Sequence, residues 1–307
     1  MSRARILILA VFVFALCAAP AHAGGSHLVK LYKVEKHIDL DGEDAVYTAT
    51  CPNGDYAIDG MYRMDAVDQD NEFGRLQLLS SVYPVAVYPS SDSAYSFSFM
   101  PTLGGDVQIK LWVTCLGKST EPSQSHTHQW VMTSAVDFTT AVLPAGGNSF
   151  AHPTQCPSGY IAVQPGWRAA PGTTITPYAS YFTSNQLSWQ WSFILADPGA
   201  LDVYHSCLRL KSTTVNSHAH RLVTQLKPGY SGSDRNALVS DNREDQTLSC
   251  GEHYKGMLGG FRIPDPLHVW YYGMEPRIKS RTFWFGNDGG GTPIVNLAVS
   301  CFKDKTT

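Results

Sequence analysis

Apolar and polar residues alternate at three well-separated places in the chain. Tyr95, Phe97 and Phe99 alternate with Ser96 and Ser98. Trp189, Trp191 and Phe193 alternate with Gln190 and Ser192, and Arg281, Phe283 and Phe285 hold the corresponding places further on. A period of two puts one set on one face of a strand, so the pattern predicts half-buried sheet. Turn residues follow each time, at Gly104-Gly105, Asp197-Pro198-Gly199 and Asn287-Asp288-Gly289. A final strand then ends in a cysteine: Val107 to Cys115, Leu201 to Cys207, Ile294 to Cys301. This is hairpin chemistry. No stretch carries a helical period.

The same phase governs the start of each unit. Cys51-Pro52-Asn53-Gly54 leads through Tyr56 and Gly60 to Tyr62 and Arg63. Cys156-Pro157-Ser158-Gly159 leads through Tyr160 and Gly166 to Trp167 and Arg168, and Cys250-Gly251 leads through Tyr254 and Gly260 to Phe261 and Arg262. In every copy an aromatic stands eleven residues after the cysteine and Arg follows it. Internal repetition of this kind divides the chain into units at 24–122, 123–214 and 215–307. Short strands at this spacing predict an all-β chain of three tandem, small β-sandwich-like domains.

The Cys-Pro-x-Gly opening, the Gly-aromatic step and the closing Val-x-Cys resemble a β-repeat of secreted bacterial proteins of unassigned function. The third copy departs from it, with Gly251-Glu252 where Pro-x would stand. The resemblance implies a β fold and an extracellular address, and it supplies no catalytic residue.

Residues 1–23 read as a secretory signal. Arg3 and Arg5 precede an apolar run from Ile6 to Ala19, and Ala21-His22-Ala23 is a small-x-small cleavage site. Leu16 before Cys17 argues against lipidation, and no later segment is apolar enough to span a membrane. Six cysteines then remain, which permit 15 pairings. The matched opening and closing contexts select Cys51–Cys115, Cys156–Cys207 and Cys250–Cys301, one bridge per unit. No Cys-x-x-Cys is present to suggest a zinc ribbon.

The full chain of 307 residues has a net charge of −3, with 43% hydrophobic and 11% aromatic residues. Mild acidity argues against nucleic acid or an anionic membrane as a partner. Gly-x-Ser-x-Gly, His-Glu-x-x-His and the phosphate-binding Gly-rich loop are all missing. The sequence therefore calls for no cofactor.

Four sets of residues could carry chemistry. His126 and His128 open the second unit, and His218 and His220 open the third; Ser26-His27 opens the first. Imidazoles at i and i+2 share a strand face and could chelate zinc or copper. No third ligand follows at a fixed spacing, so packing at the joint between units is the primary expectation, with metal binding and pH sensing behind it. Asp39, Asp41, Glu43 and Asp44, and Asp65, Asp68, Asp70 and Glu72, offer oxygen ligands for calcium but read as solvated loops. His268, Trp270 and Tyr272 share one face of a strand, with Leu267, Val269 and Tyr271 on the other. Burial in the core or between units is the primary expectation for these aromatics and for Tyr178, Tyr181, Phe182 and Trp189, with the first face and that second group as candidate platforms for sugar rings or a protein behind it. Arg63, Arg168 and Arg262 should point away from the core-facing aromatics beside them, free to pair with acids or to meet an anionic ligand.

Together these readings predict a secreted, non-enzymatic repeat protein that binds a cell-surface protein or glycan through repeated β modules, as in adhesion. A subunit that self-assembles into an extracellular layer or filament is the first alternative. A secreted metal-dependent or glycan-cleaving enzyme is the second.

Overall fold

The computed structural model describes residues 28–40, 45–66, 79, 82–102, 107–122, 126–133, 137–227, 235–237, 243–264, 266–287 and 294–306. The leader, His27 and the acidic residues Asp41, Glu43, Asp44, Asp68, Asp70 and Glu72 lie outside them. Strands make up nearly all the regular structure among the described residues, and no helix there is long and apolar enough to cross a membrane. The all-β expectation holds.

The first unit supplies β1 (Leu31–Leu40), β2 (Ala45–Thr50), β3 (Tyr56–Ala66), β4 (Val82–Ser91), β5 (Ala94–Pro101) and β6 (Val107–Leu116). The second supplies β7 (Asp137–Leu143), β8 (Gly146–Ala151), β9 (Tyr160–Ala169), β10 (Ile175–Phe182), β11 (Trp189–Leu195) and β12 (Gly199–Arg209). The third supplies β13 (His220–Lys227), a short β14 (Arg235–Ala237), β15 (Arg243–Ser249), β16 (Lys255–Arg262), β17 (Val269–Arg277), β18 (Ser280–Asn287) and β19 (Ile294–Thr306).

The strands form three sheets, and each sheet is shared by two units. Their orders are β1-β6-β3-β17-β18-β15, β13-β19-β16-β10-β11-β8 and β7-β12-β9-β4-β5-β2, with β14 beside β19. Every unit thus gives its first, last and third long strands to one sheet and its fourth, fifth and second to another. This cyclic exchange corrects the picture of separate sandwiches. A three-stranded half would leave its inner edge unpaired, and joining it to a neighbour's half removes that edge.

The seams fall on the repeated aromatic-Arg step. Arg63 is in register with Gly273, Trp167 and Arg168 with Val87 and Ala86, and Phe261 and Arg262 with Ser180 and Ala179. The backbones meet closely there. A Cβ on Gly166 would sit 2.7 Å from the Tyr88 Cα, and one on Gly260 would sit 3.0 Å from the Tyr181 Cα. At the third seam Met61 stands in the glycine position, and the partner strand supplies the small residue instead, Gly273.

The disulfides pair as the repeat predicted, Cys51–Cys115, Cys156–Cys207 and Cys250–Cys301. Cys51 follows β2 in one sheet and Cys115 lies on β6 in another, so the bridge ties two sheets together; the other two do the same. On a loop-closure account each contributes about 4 kcal/mol. The largest core cluster runs through all three units, with Phe97, Phe99, Trp189, Trp191 and Phe193 fully buried. Tyr62, Trp167 and Phe261 are buried as expected. At the strand position of Tyr95 and Trp189 the third unit has Arg281, which is also buried. Its Nη2 donates to the Met257 carbonyl at 2.7 Å and its Nη1 to the carbonyls of Arg277 and Ser280. Nearby lies the buried carboxyl of Asp59, whose pKa burial raises to about 7 against the attraction of Arg281.

Candidate metal centre

The two linkers between units are built alike. In the first, the Thr120 N–H donates to the His128 carbonyl at 2.9 Å, and the His128 N–H donates to Thr120 Oγ1 at 3.1 Å. In the second, the Ser212 N–H donates to the His220 carbonyl at 2.9 Å and the His220 N–H to Ser212 Oγ at 2.9 Å. A hydroxyl residue eight positions earlier therefore pins the second His of each His-x-His pair. The linkers also dock on one another. The Thr213 N–H donates to the Gln129 carbonyl at 2.8 Å, and the Gln129 N–H to Thr213 Oγ1 at 2.9 Å.

A tight turn then aims His218. The Val215 N–H donates to the His218 carbonyl at 2.9 Å and the His218 N–H to the Val215 carbonyl at 3.1 Å. Between them Asn216 and Ser217 both have positive φ, 50° and 65°. This is the two-residue mirror-image turn whose hand suits a hairpin, and Asn is among the residues that tolerate it best.

Docking brings three imidazoles together. His128 Nε2 lies 3.0 Å from His218 Nε2, and His126 Nε2 lies 3.4 Å from the same atom. The ligand nitrogens of all three fall within 4.8 Å of one another. Two nitrogens each ~2.05 Å from a tetrahedral zinc are about 3.3 Å apart, so the spacing fits such an ion.

The outer nitrogens explain the inward aim. His128 Nδ1 lies 3.0 Å from the Thr213 carbonyl and His218 Nδ1 3.3 Å from the Asn216 carbonyl. A carbonyl only accepts, so in the neutral rings each Nδ1 carries the proton and each Nε2 presents a lone pair. Two lone pairs facing at 3.0 Å repel unless a metal ion or a shared proton lies between them. Backbone carbonyls behind the ligands are also how metal-binding histidines are commonly oriented. His126 Nδ1 faces the Asn216 side-chain amide at 3.2 Å. His128 is buried, while His126 and His218 are half-buried, which leaves one side of the cluster open to solvent.

The fourth predicted histidine is elsewhere. His220 Nδ1 pairs with Asp304 Oδ2 at 2.7 Å, with its ring 4.8 Å from that of His128. It stands beside the three and contributes no nitrogen to them. No family model matches the chain, and no curated protein matches it significantly.

Other predicted site residues disperse. Tyr272 is buried in the main core, which removes it from any exposed platform; a bulge between Tyr271 and Gly273 breaks the alternation that placed it beside Trp270. Trp270 packs partly against that core, and His268 is exposed. Phe182 and Trp189 are core residues, while Tyr178 and Tyr181 are half-buried. Arg63 binds Asp65 Oδ2 and, across its seam, Glu275 Oε2, each at 2.8 Å. Arg168 binds Asp202 at 2.7 Å and lies over the ring of Tyr88 across its own seam. Arg262 is exposed. Sequence reasoning did not foresee Asn216, Thr213 or the pinning hydroxyls. The shared spacing of Thr120 to His128 and Ser212 to His220 was the available signal.

Proposed function

We propose that the chain is an extracellular, non-enzymatic binding protein whose three-unit body holds a zinc or copper ion on His126, His128 and His218. The observation that carries this is the facing of His128 Nε2 and His218 Nε2 at 3.0 Å with both outer nitrogens turned to carbonyls. Imidazole donors suit both metals. Three protein nitrogens with an open side leave room for a further ligand, such as a side chain of a partner protein. Three disulfides fit an oxidising compartment. A groove of about 470 Å³ beside Tyr32, Arg277 and Ile278 has no carboxylate among the described residues that line it and does not favour glycan cleavage there. Metal analysis and calorimetry on the metal-stripped, reloaded protein test the proposal. One equivalent of Zn²⁺ or Cu²⁺ per chain is expected, and no saturable binding sinks it.

Self-assembly is favoured by a separate observation. The third sheet ends in β2 and β7, where Val46, Phe138 and Val142 are 66%, 52% and 81% exposed. β2 has no charged residue and β7 has only Asp137, at its start; β8, the uncharged outer strand of the second sheet, exposes no large apolar side chain, and the outer strands β1, β13 and β15 each carry two or more charges. Uncharged edges are the ones that pair with another copy. Concentration-dependent association that Val142→Lys abolishes would support this reading, and a strict monomer at high concentration would end it.

A further inference from the structure

The pseudo-equivalence of the units isolates one core residue that folding does not explain. Two positions before the closing cysteine, the first and third units place Val113 and Val299, both fully buried. The second unit places His205 there, 1% exposed. Neither ring nitrogen of His205 has a hydrogen bond to any described residue. Its ring lies against that of His152, 3.9 Å between centroids and tilted by 40°. Burial, and then the neighbouring His152, depress its pKa to about 3, so it stays neutral. A buried polar group left without partners costs about 1–3 kcal/mol, which the valines of the sister units avoid.

A ring nitrogen of His205 and the sulfurs of Cys156 and Cys207 lie within 4.8 Å of one another. In the oxidised chain those sulfurs are bonded together. We propose that Cys156, Cys207 and His205 form a second, redox-gated zinc site, opened when a dithiol reduces the Cys156–Cys207 disulfide. In that step the S–S bond breaks, each cysteine sulfur gains a hydrogen, and the two dithiol sulfurs join as a disulfide. Zn²⁺ then displaces the two thiol protons and binds two thiolates and the neutral imidazole. Thiolate with imidazole is a characteristic zinc donor set. A buried imidazole already neutral needs no deprotonation to bind. The first and third disulfides have valine at the equivalent position, and their reduction leaves no such donor.

The test uses the mature chain carrying His126→Ala and His218→Ala, so that the trihistidine cluster does not contribute. The protein is reduced with a dithiol, desalted without oxygen and titrated with Co²⁺. Thiolate-to-cobalt absorption saturating at one equivalent is expected, absent from the oxidised protein and lost in Cys156→Ser/Cys207→Ser. His205→Val, the residue the sister units use, should weaken cobalt binding by about 100-fold, at the top of the range for losing a supporting group. Equal binding by His205→Val, or absorption that survives in Cys156→Ser/Cys207→Ser, overturns the site. Near-ultraviolet circular dichroism follows the fold. A reduced chain that is unfolded and that zinc does not restore also overturns it.

Discussion

His128 and His218 stand 90 residues apart in the chain, yet their Nε2 atoms are 3.0 Å apart. Each ring is turned by a backbone carbonyl of the second linker, from Thr213 and from Asn216. The contact therefore reports how the second linker docks on the first. An ion held there would clamp both linkers at once.

Metal should consequently stabilise the fold. At a free ion concentration 100 times the dissociation constant, the gain is about 2.7 kcal/mol. Thermal unfolding with and without Zn²⁺ measures it. His128→Ala or His218→Ala should remove the gain, while His220→Ala, whose ring pairs with Asp304, should retain it.

The repeated arginines should differ in weight. Arg63 has a side chain only 15% exposed and ties the first unit to Glu275 of the third. Arg63→Ala should cost about 2–3 kcal/mol, since it strands two carboxylates at a seam. The Arg168 side chain is 47% exposed, so Arg168→Ala should cost at most ~1 kcal/mol. Urea unfolding of the two variants decides. Equal losses would mean that the seams are held by backbone pairing alone.

Gly166→Ala should destabilise by about 2–3 kcal/mol, because its Cβ would press on the backbone of β4. Gly147→Ala serves as the control, since its Cβ would meet only the Tyr178 hydroxyl, at 3.7 Å. A harmless Gly166→Ala would show that the sheets separate easily at the seam.

Asp59 gives stability a pH dependence of defined sign. Burial raises its pKa from 3.8 to about 7, so between these values the folded chain holds a proton that the unfolded chain releases. Its contribution is fully present below the unfolded pKa and is lost as pH rises through about 7. The loss amounts to as much as ~4 kcal/mol. Arg281, lowered by burial to about 10, stays charged throughout this window. Chemical unfolding at several pH values should show stability falling between these limits, and Asp59→Asn should flatten that slope.

The alternation of Tyr95, Phe97 and Phe99 and its two echoes was enough to place strands, hairpins and buried faces, because a pleated strand sends neighbours to opposite sides. Matched cysteine contexts were enough to pair six sulfurs, because equivalent positions in repeated units occupy equivalent places. The arginine after each aromatic was legible as outward-facing. Its partners were not, since Glu275 and Tyr88 come from other units. Whether Trp270 and Tyr272 share an exposed face was not legible, because a bulge at Tyr272 breaks the alternation there.

Local pattern by itself thus determined strand content, phase and disulfides, all of which are set within one unit. Only the tertiary structure decided that units exchange half-sheets, and that histidines from two linkers converge. Both depend on which free edge meets which, and a repeat gives every unit the same edges. The choice between closing on itself and pairing with a neighbour rests on backbone approach at Gly166, Gly260 and Gly273, a property of the assembled sheets.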